Sequence, residues 1–152
     1  MAIVYLGLGT NIGNKRRNMI TAAALLAERV GDILALSGFY ETEPWGFESK
    51  NIFLNASVKL KTSFSPLELL QITQQIEKEL GRTEKSNGTY HDRIIDIDIL
   101  LYDDEVLQIP GLILPHPLMH ERKFVMDPLS EIAPFVVHPV LKERIIDLKE
   151  RL

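Results

Sequence analysis

The sequence contains no cysteine, which excludes disulfides, thiolate zinc sites and cysteine nucleophiles. No apolar run approaches bilayer-spanning length. The N-terminus lacks the charged segment, apolar stretch and small-residue cleavage site of a signal peptide. A soluble, cytoplasmic protein is the expectation. Positive charge is not in excess either: 17 Lys and Arg against 21 Asp and Glu give a formal net charge of -4. No global positive field would gather nucleic acid or anionic membrane, so a polyphosphate site would need a local basic cluster. Internal repeats, low-complexity tracts and linkers are missing too. What remains is ordinary globular composition, 45% hydrophobic and 25% charged over 152 residues. That predicts one domain, 1–152, with a single sizeable core.

Residues 3–9 form a short apolar run ending in glycines, which reads as a buried strand. Across 15–30, Met19, Ala23, Leu26 and Val30 recur at helical spacing, and Gly31 suits a C-terminal stop. Residues 33–41 read as a second strand. In 53–60, Leu54, Ala56, Val58 and Leu60 alternate with Asn55, Ser57 and Lys59, a third strand. Ser65-Pro66-Leu67-Glu68 is a capping box with proline at the first helical position. Leu69, Ile72, Ile76 and Leu80 continue that helix to Gly81. Residues 94–102 give a fourth strand. The order β-α-β-β-α-β predicts an α+β, ferredoxin-like core. A C-terminal extension with short helical pieces follows, ending in a helix over 141–152. The stretches 42–52 and 82–93 are long polar connections of the kind that often bind ligands. Residues 104–111 carry no functional signal.

The most informative segment is Arg93-Ile94-Ile95-Asp96-Ile97-Asp98-Ile99-Leu100-Leu101. In a strand Asp96 and Asp98 project to one side, roughly 6–7 Å apart at Cα. Two like charges side by side repel. The pair is either a solvated strand face or a site for a divalent cation, since magnesium is held by one or two carboxylates with phosphates and water. Arg82, Lys85 and Arg93 lie just upstream. They read either as surface arginines and lysine or as groups neutralising charge on a transferred phosphoryl group. Gly7-Leu8-Gly9-Thr10-Asn11-Ile12-Gly13 lacks the third glycine of a dinucleotide fingerprint, and no P-loop is present. These glycines read as a strand-to-helix turn. His116 and His120 are four apart, but Pro117 replaces a metalloprotease glutamate and no third ligand is evident. The aromatics Trp45, Phe53 and Phe124 read as core on their own.

In order along the chain, these segments resemble the 6-hydroxymethyl-7,8-dihydropterin pyrophosphokinases. The stretch from Leu6 to Gly13 resembles that family's opening strand and turn. Tyr40-Glu41-Thr42-Glu43-Pro44-Trp45-Gly46 is similar to its first catalytic loop and Phe53-Leu54-Asn55 to its pterin-binding strand. The aspartate segment resembles its signature. Leu114-Pro115-His116-Pro117 and Glu121-Arg122-Lys123-Phe124-Val125 resemble its later site segment.

The resemblance implies transfer of pyrophosphate from ATP to the pterin's hydroxymethyl group, releasing AMP, in folate synthesis. It implies two Mg2+ ions on Asp96 and Asp98. Phe53 and Phe124 would sandwich the pterin, Asn55 would bond its edge, and Thr42, Pro44 and Trp45 would complete the pocket. Gln74, Glu77, Lys85, His116 and Arg122 would serve ATP, and Arg82 and Arg93 would assist transfer. A monomer is expected, with small-molecule partners and neither nucleic acid nor membrane. Glu84, Tyr90 and His91-Asp92 depart from the family pattern. A non-catalytic pterin- or nucleotide-binding module has no need of paired acids. The negative charge argues against an RNA-binding sheet.

Overall fold

The structure, a computed structural model, describes residues 1–43, 52–81 and 94–152. It is a mixed helix and strand fold built on an antiparallel sheet. Strand β1 (Ala2–Thr10) is buried on both faces over much of its length, with Val4, Leu6 and Leu8 on one face and Tyr5 on the other. It leads to helix α1 (Lys15–Arg29), whose first turn is closed by Asn14 accepting from the Arg17 N–H. Strand β2 (Gly31–Leu36) follows directly. Gly31 follows the helix cap Val30, as expected for a stop, and is also the first residue of this strand. Paired with Thr62, it brings the backbones so close that a Cβ would meet the Lys61 carbonyl oxygen.

The single strand expected over 33–41 is two. After β2 the chain breaks at Ser37 and resumes as β3 (Tyr40–Thr42); both pair with β4 (Phe53–Thr62). Ser37 causes the break. Its Oγ accepts from the Ser57 N–H at 2.8 Å and donates to the Gly38 carbonyl at 2.8 Å, so a side chain takes over part of the ladder. Helix α2 (Pro66–Glu79) carries the anticipated capping box, with Ser65 and Glu68 exchanging hydrogen bonds. It ends at Gly81, whose φ of +114° suits glycine. Strand β5 (Asp96–Tyr102) completes a sheet of order β2-β4-β1-β5, antiparallel throughout, with β3 on the free end of β4.

A hairpin of β6 (Leu107–Ile109) and β7 (Leu112–Leu114) occupies part of the featureless stretch and turns at Gly111. A 3-10 turn (Met119–Glu121) precedes helix α3 (Lys123–Ile132). Helix α4 (Ile145–Glu150) is shorter than the 141–152 expected, because Lys142 has φ +60° and Arg144 bridges to Val137 before the helix starts.

The sheet separates two apolar layers. On one face, Val4, Leu6, Val58, Leu60, Ile97 and Ile99 meet Met19 and Leu26 of α1 and Leu69 and Ile76 of α2. On the other, Tyr5 and Leu100 meet Met126 and Leu129 of α3 and Ile145 and Leu148 of α4. Each fully buried aliphatic side chain contributes about 1.5–3 kcal/mol. The second layer covers only one end of its face, and the uncovered end is where the polar residues lie.

Candidate active site

Asp96 and Asp98 face that uncovered end. In the register, Asp96 stands opposite Gly9 and Asp98 opposite Gly7. On the far side of β1, Gly9 is opposite Asn55 and Gly7 opposite Ser57. A row therefore runs Asp96, Gly9, Asn55 across three strands, about 10 Å from acid to amide at Cα. The two glycines leave the middle of the row bare. A Cβ on Gly9 would lie 3.3 Å from Asn55 Oδ1 and 3.8 Å from a Phe53 ring carbon.

Walls rise from this floor. Asn55 is buried and donates through Nδ2 to Thr42 Oγ1 at 2.7 Å. That bond fixes the amide and turns Oδ1 toward the Gly9 side as an acceptor. Phe53 starts β4 on one side of the cleft, and Phe124 sits in the first turn of α3 on the other. Arg122, directly before α3, is 5% exposed and holds its guanidinium 5.6 Å from the Phe124 ring centroid, a cation–π contact. Together with Glu43 and Val125 these residues enclose about 590 Å³ open to solvent.

Of the residues singled out in the sequence, the cleft collects Thr42, Phe53, Asn55, Asp96, Asp98, Arg122 and Phe124. His116 does not line it, but lies within electrostatic reach of Arg122 and Asp96. Burial and then the Arg122 charge push its imidazolium down to about 4, against a smaller opposing pull from Asp96. His116 Nδ1 accepts from the Leu118 N–H at 3.3 Å, so the neutral ring carries its proton on Nε2. Glu77 is buried on α2, behind the sheet, where Oε2 accepts from the Ile97 N–H at 2.9 Å, the peptide between the two aspartates. Gln74 is exposed on α2 and does not line the cleft. Pro44, Trp45, Arg82, Lys85 and Arg93 lie outside the described residues.

Comparison with known proteins bears on this cleft. The sequence profile of the 7,8-dihydro-6-hydroxymethylpterin-pyrophosphokinase (HPPK) family matches residues 5–134. A 2-amino-4-hydroxy-6-hydroxymethyldihydropteridine pyrophosphokinase of Porphyromonas gingivalis is 57% identical over 141 residues, covering 91% of this chain and 95% of that protein. The chain belongs to the HPPK family. The enzyme of the same name from Aquifex aeolicus is 44% identical, covering 98% of this chain and 91% of its own. Among solved structures, the Plasmodium falciparum HPPK-DHPS with pteroate superposes with a TM-score of 0.81 at 18% identity, over 99% of this chain. That likeness concerns the fold, and this chain spans 44% of that protein.

An HPPK cleft is expected to take magnesium, and the residues fit it. The donors are two hard carboxylates on one strand face, only partly buried, above a floor that glycine keeps clear. Among the described residues no third acid or histidine joins them into a closed cage. Such a pair suits an ion that completes its shell with phosphate and water. Gly7 and Gly9 fall inside β1, in line with the strand expected over 3–9, but sequence reasoning assigned them only the role of leading into a turn and no place in the site. Their spacing of two on an apolar strand is the signal that could have placed them on one face. Among the described residues no helix is long and apolar enough to cross a membrane.

Proposed function

We propose that this HPPK-family chain transfers pyrophosphate from ATP to the hydroxymethyl oxygen of 6-hydroxymethyl-7,8-dihydropterin and releases AMP. The observation that carries this reading is the cleft itself. Two acids, an oriented amide, two aromatic rings and a buried arginine meet over a glycine floor. The flat pterin would lie between Phe53 and Phe124, with Asn55 and Thr42 at its edge. Glycine at positions 7 and 9 lets it approach the strand. Pro44 and Trp45 would close the pocket.

The pterin alcohol would attack the β-phosphorus, lose its proton, and break the bond between that phosphorus and the α-phosphate oxygen, which leaves with AMP. Asp96 and Asp98 would hold two Mg2+ ions, which when bound supply Lewis acidity to the phosphates and the attacking alcohol. Arg122 and the Nε2–H of His116 would bind phosphate oxygens. Gln74, Glu77 and Lys85 would serve the nucleotide, Glu77 through its hold on the backbone between the aspartates. Arg82 and Arg93 would steady the charge that develops on the transferred group. The remaining elements of the reading are a cytoplasmic monomer and a ferredoxin-like core, the latter supported by the strand order around β1 and β4.

The test is AMP release followed by chromatography, with and without the pterin, across a magnesium titration. Pterin-dependent AMP formation that EDTA abolishes supports the reading. Pterin binding without turnover at any magnesium concentration would make the chain a binding module instead.

A further inference from the structure

The two walls of the cleft belong to different parts of the chain. Thr42, Phe53 and Asn55 come from β3 and β4, while Arg122 and Phe124 come from the start of α3. Something must set their separation, because a flat ligand stacked between Phe53 and Phe124 tolerates little change in spacing. At the far end of α3, Glu131 reaches back to the β2–β3 segment. Its carboxylate accepts from the Gly38 N–H at 3.2 and 3.1 Å and from the Tyr40 hydroxyl at 2.5 Å. That hydrogen bond, then burial and the charges of Glu131 and Asp127, push the Tyr40 phenol up to about 12. The phenol is thus a donor throughout the working pH range.

The connections on each side are short. Tyr40 is in register with Asn55 and two residues from Thr42, so all three are fixed by the same strand pairing. Phe124 and Glu131 are seven apart on α3, two turns along one helix face. The break at Ser37 and Gly38, which splits the expected strand, is what frees the Gly38 N–H to point at Glu131 instead of a ladder partner. We infer that Glu131, through Tyr40 and Gly38, is a positioning residue that sets the width of the ring-binding part of the cleft. This rests on the proposed pterin site.

The experiment compares wild type with Glu131→Ala, Glu131→Gln, Tyr40→Phe and the double variant Tyr40→Phe/Glu131→Ala. It reads KM for the pterin and for ATP separately, together with thermal unfolding. With hydrogen bonds of this kind at stake, Glu131→Ala should raise the pterin KM about tenfold and the ATP KM less than about twofold. Tyr40→Phe should give a smaller rise in the pterin KM. Glu131→Gln should recover most of the effect, since its amide oxygen still accepts from Tyr40. The double variant should be no worse than Glu131→Ala, because that change already removes the bond that Tyr40→Phe deletes. Equal rises in both KM values, or a lowered melting temperature with neither KM changed, would make Glu131 merely structural and overturn the inference. An active wild type with unaffected variants sinks the inference alone, whereas an inactive wild type sinks the pterin reading and the inference with it.

Discussion

Replacing Gly9 by alanine should weaken pterin binding while leaving the stability of the fold nearly unchanged. Gly9 lies inside β1, paired on both sides, with no positive φ to protect. Glycine in a strand is costly to order, so alanine here should gain about 0.5–1 kcal/mol from the backbone alone. The new methyl group, however, would sit 3.3 Å from Asn55 Oδ1, tighter than an ordinary contact. The amide must then give by a few tenths of an ångström. It is held by a 2.7 Å bond to Thr42 and is 4% exposed, so it has little room. Losing its alignment forfeits roughly one hydrogen bond, about 0.5–1.5 kcal/mol, or about two- to twelvefold in pterin affinity. Fluorescence titration with the pterin and, separately, with ATP reads the binding, and thermal unfolding reads the fold. Weaker pterin binding, unchanged ATP binding and a melting temperature close to that of wild type are expected, the tight contact offsetting the backbone gain. Unchanged pterin affinity in a folded Gly9→Ala protein would refute the glycine floor, and with it the reading of Asn55 as the edge-reading group.

Asp96→Asn and Asp98→Asn should each abolish AMP release in a folded protein, checked by circular dichroism; near-normal turnover in either would remove the metal assignment. Phe124→Ala should weaken pterin binding by about 1–3 kcal/mol, by analogy with base stacking, and ATP binding much less. Equal loss of both ligands would make the ring core. His116 should stay neutral in the fold until about pH 4, while in the unfolded chain it takes a proton near 6.5. Stability should therefore fall as pH drops from about 6.5 to 4 and be flat with respect to this group above that window. His116→Gln should flatten this slope in thermal melts of the metal-free protein. Arg82→Ala and Arg93→Ala should slow the chemical step in single-turnover assays by orders of magnitude with little change in ATP affinity; a loss of affinity in full proportion to rate would make them ground-state anchors.

Where the sequence pattern was long and periodic, the elements could be read from it. Residues 53–60 of β4 and the capped helix α2 follow directly from alternation and from Ser65 and Glu68. The break in the strand after β2 was not legible. Its causes are the Ser37–Ser57 hydrogen bonds and Glu131, which is 93 residues from Gly38 in the chain. The β6–β7 hairpin has three residues per strand, too few for a period to show. The site divides in the same way. Asp96 and Asp98 share a face by strand geometry alone, and Asn55 falls on a strand whose alternation is plain. Nothing in composition or spacing brings Phe53 to Phe124 or His116 to Arg122. Those pairings came from resemblance to a family, and the described structure supplies their physical setting.

The glycines explain why the acids are a site and not merely a wet strand face. Along β1 the residues facing α3 run Tyr5, Gly7, Gly9; along β5 they run Leu100, Asp98, Asp96. Tyr5 and Leu100 are buried under α3 and α4. One step further, both strands change chemistry at the same level, the one to no side chain and the other to charge. On β4 the matching positions are Ser57 and Asn55, small and polar. A solvated face would need polar residues on β5 only and would gain from larger strand formers on β1. Bare backbone on the strand between the acids and the amide serves a flat body lying on the sheet. The core ends and the cleft begins along a single line across three strands.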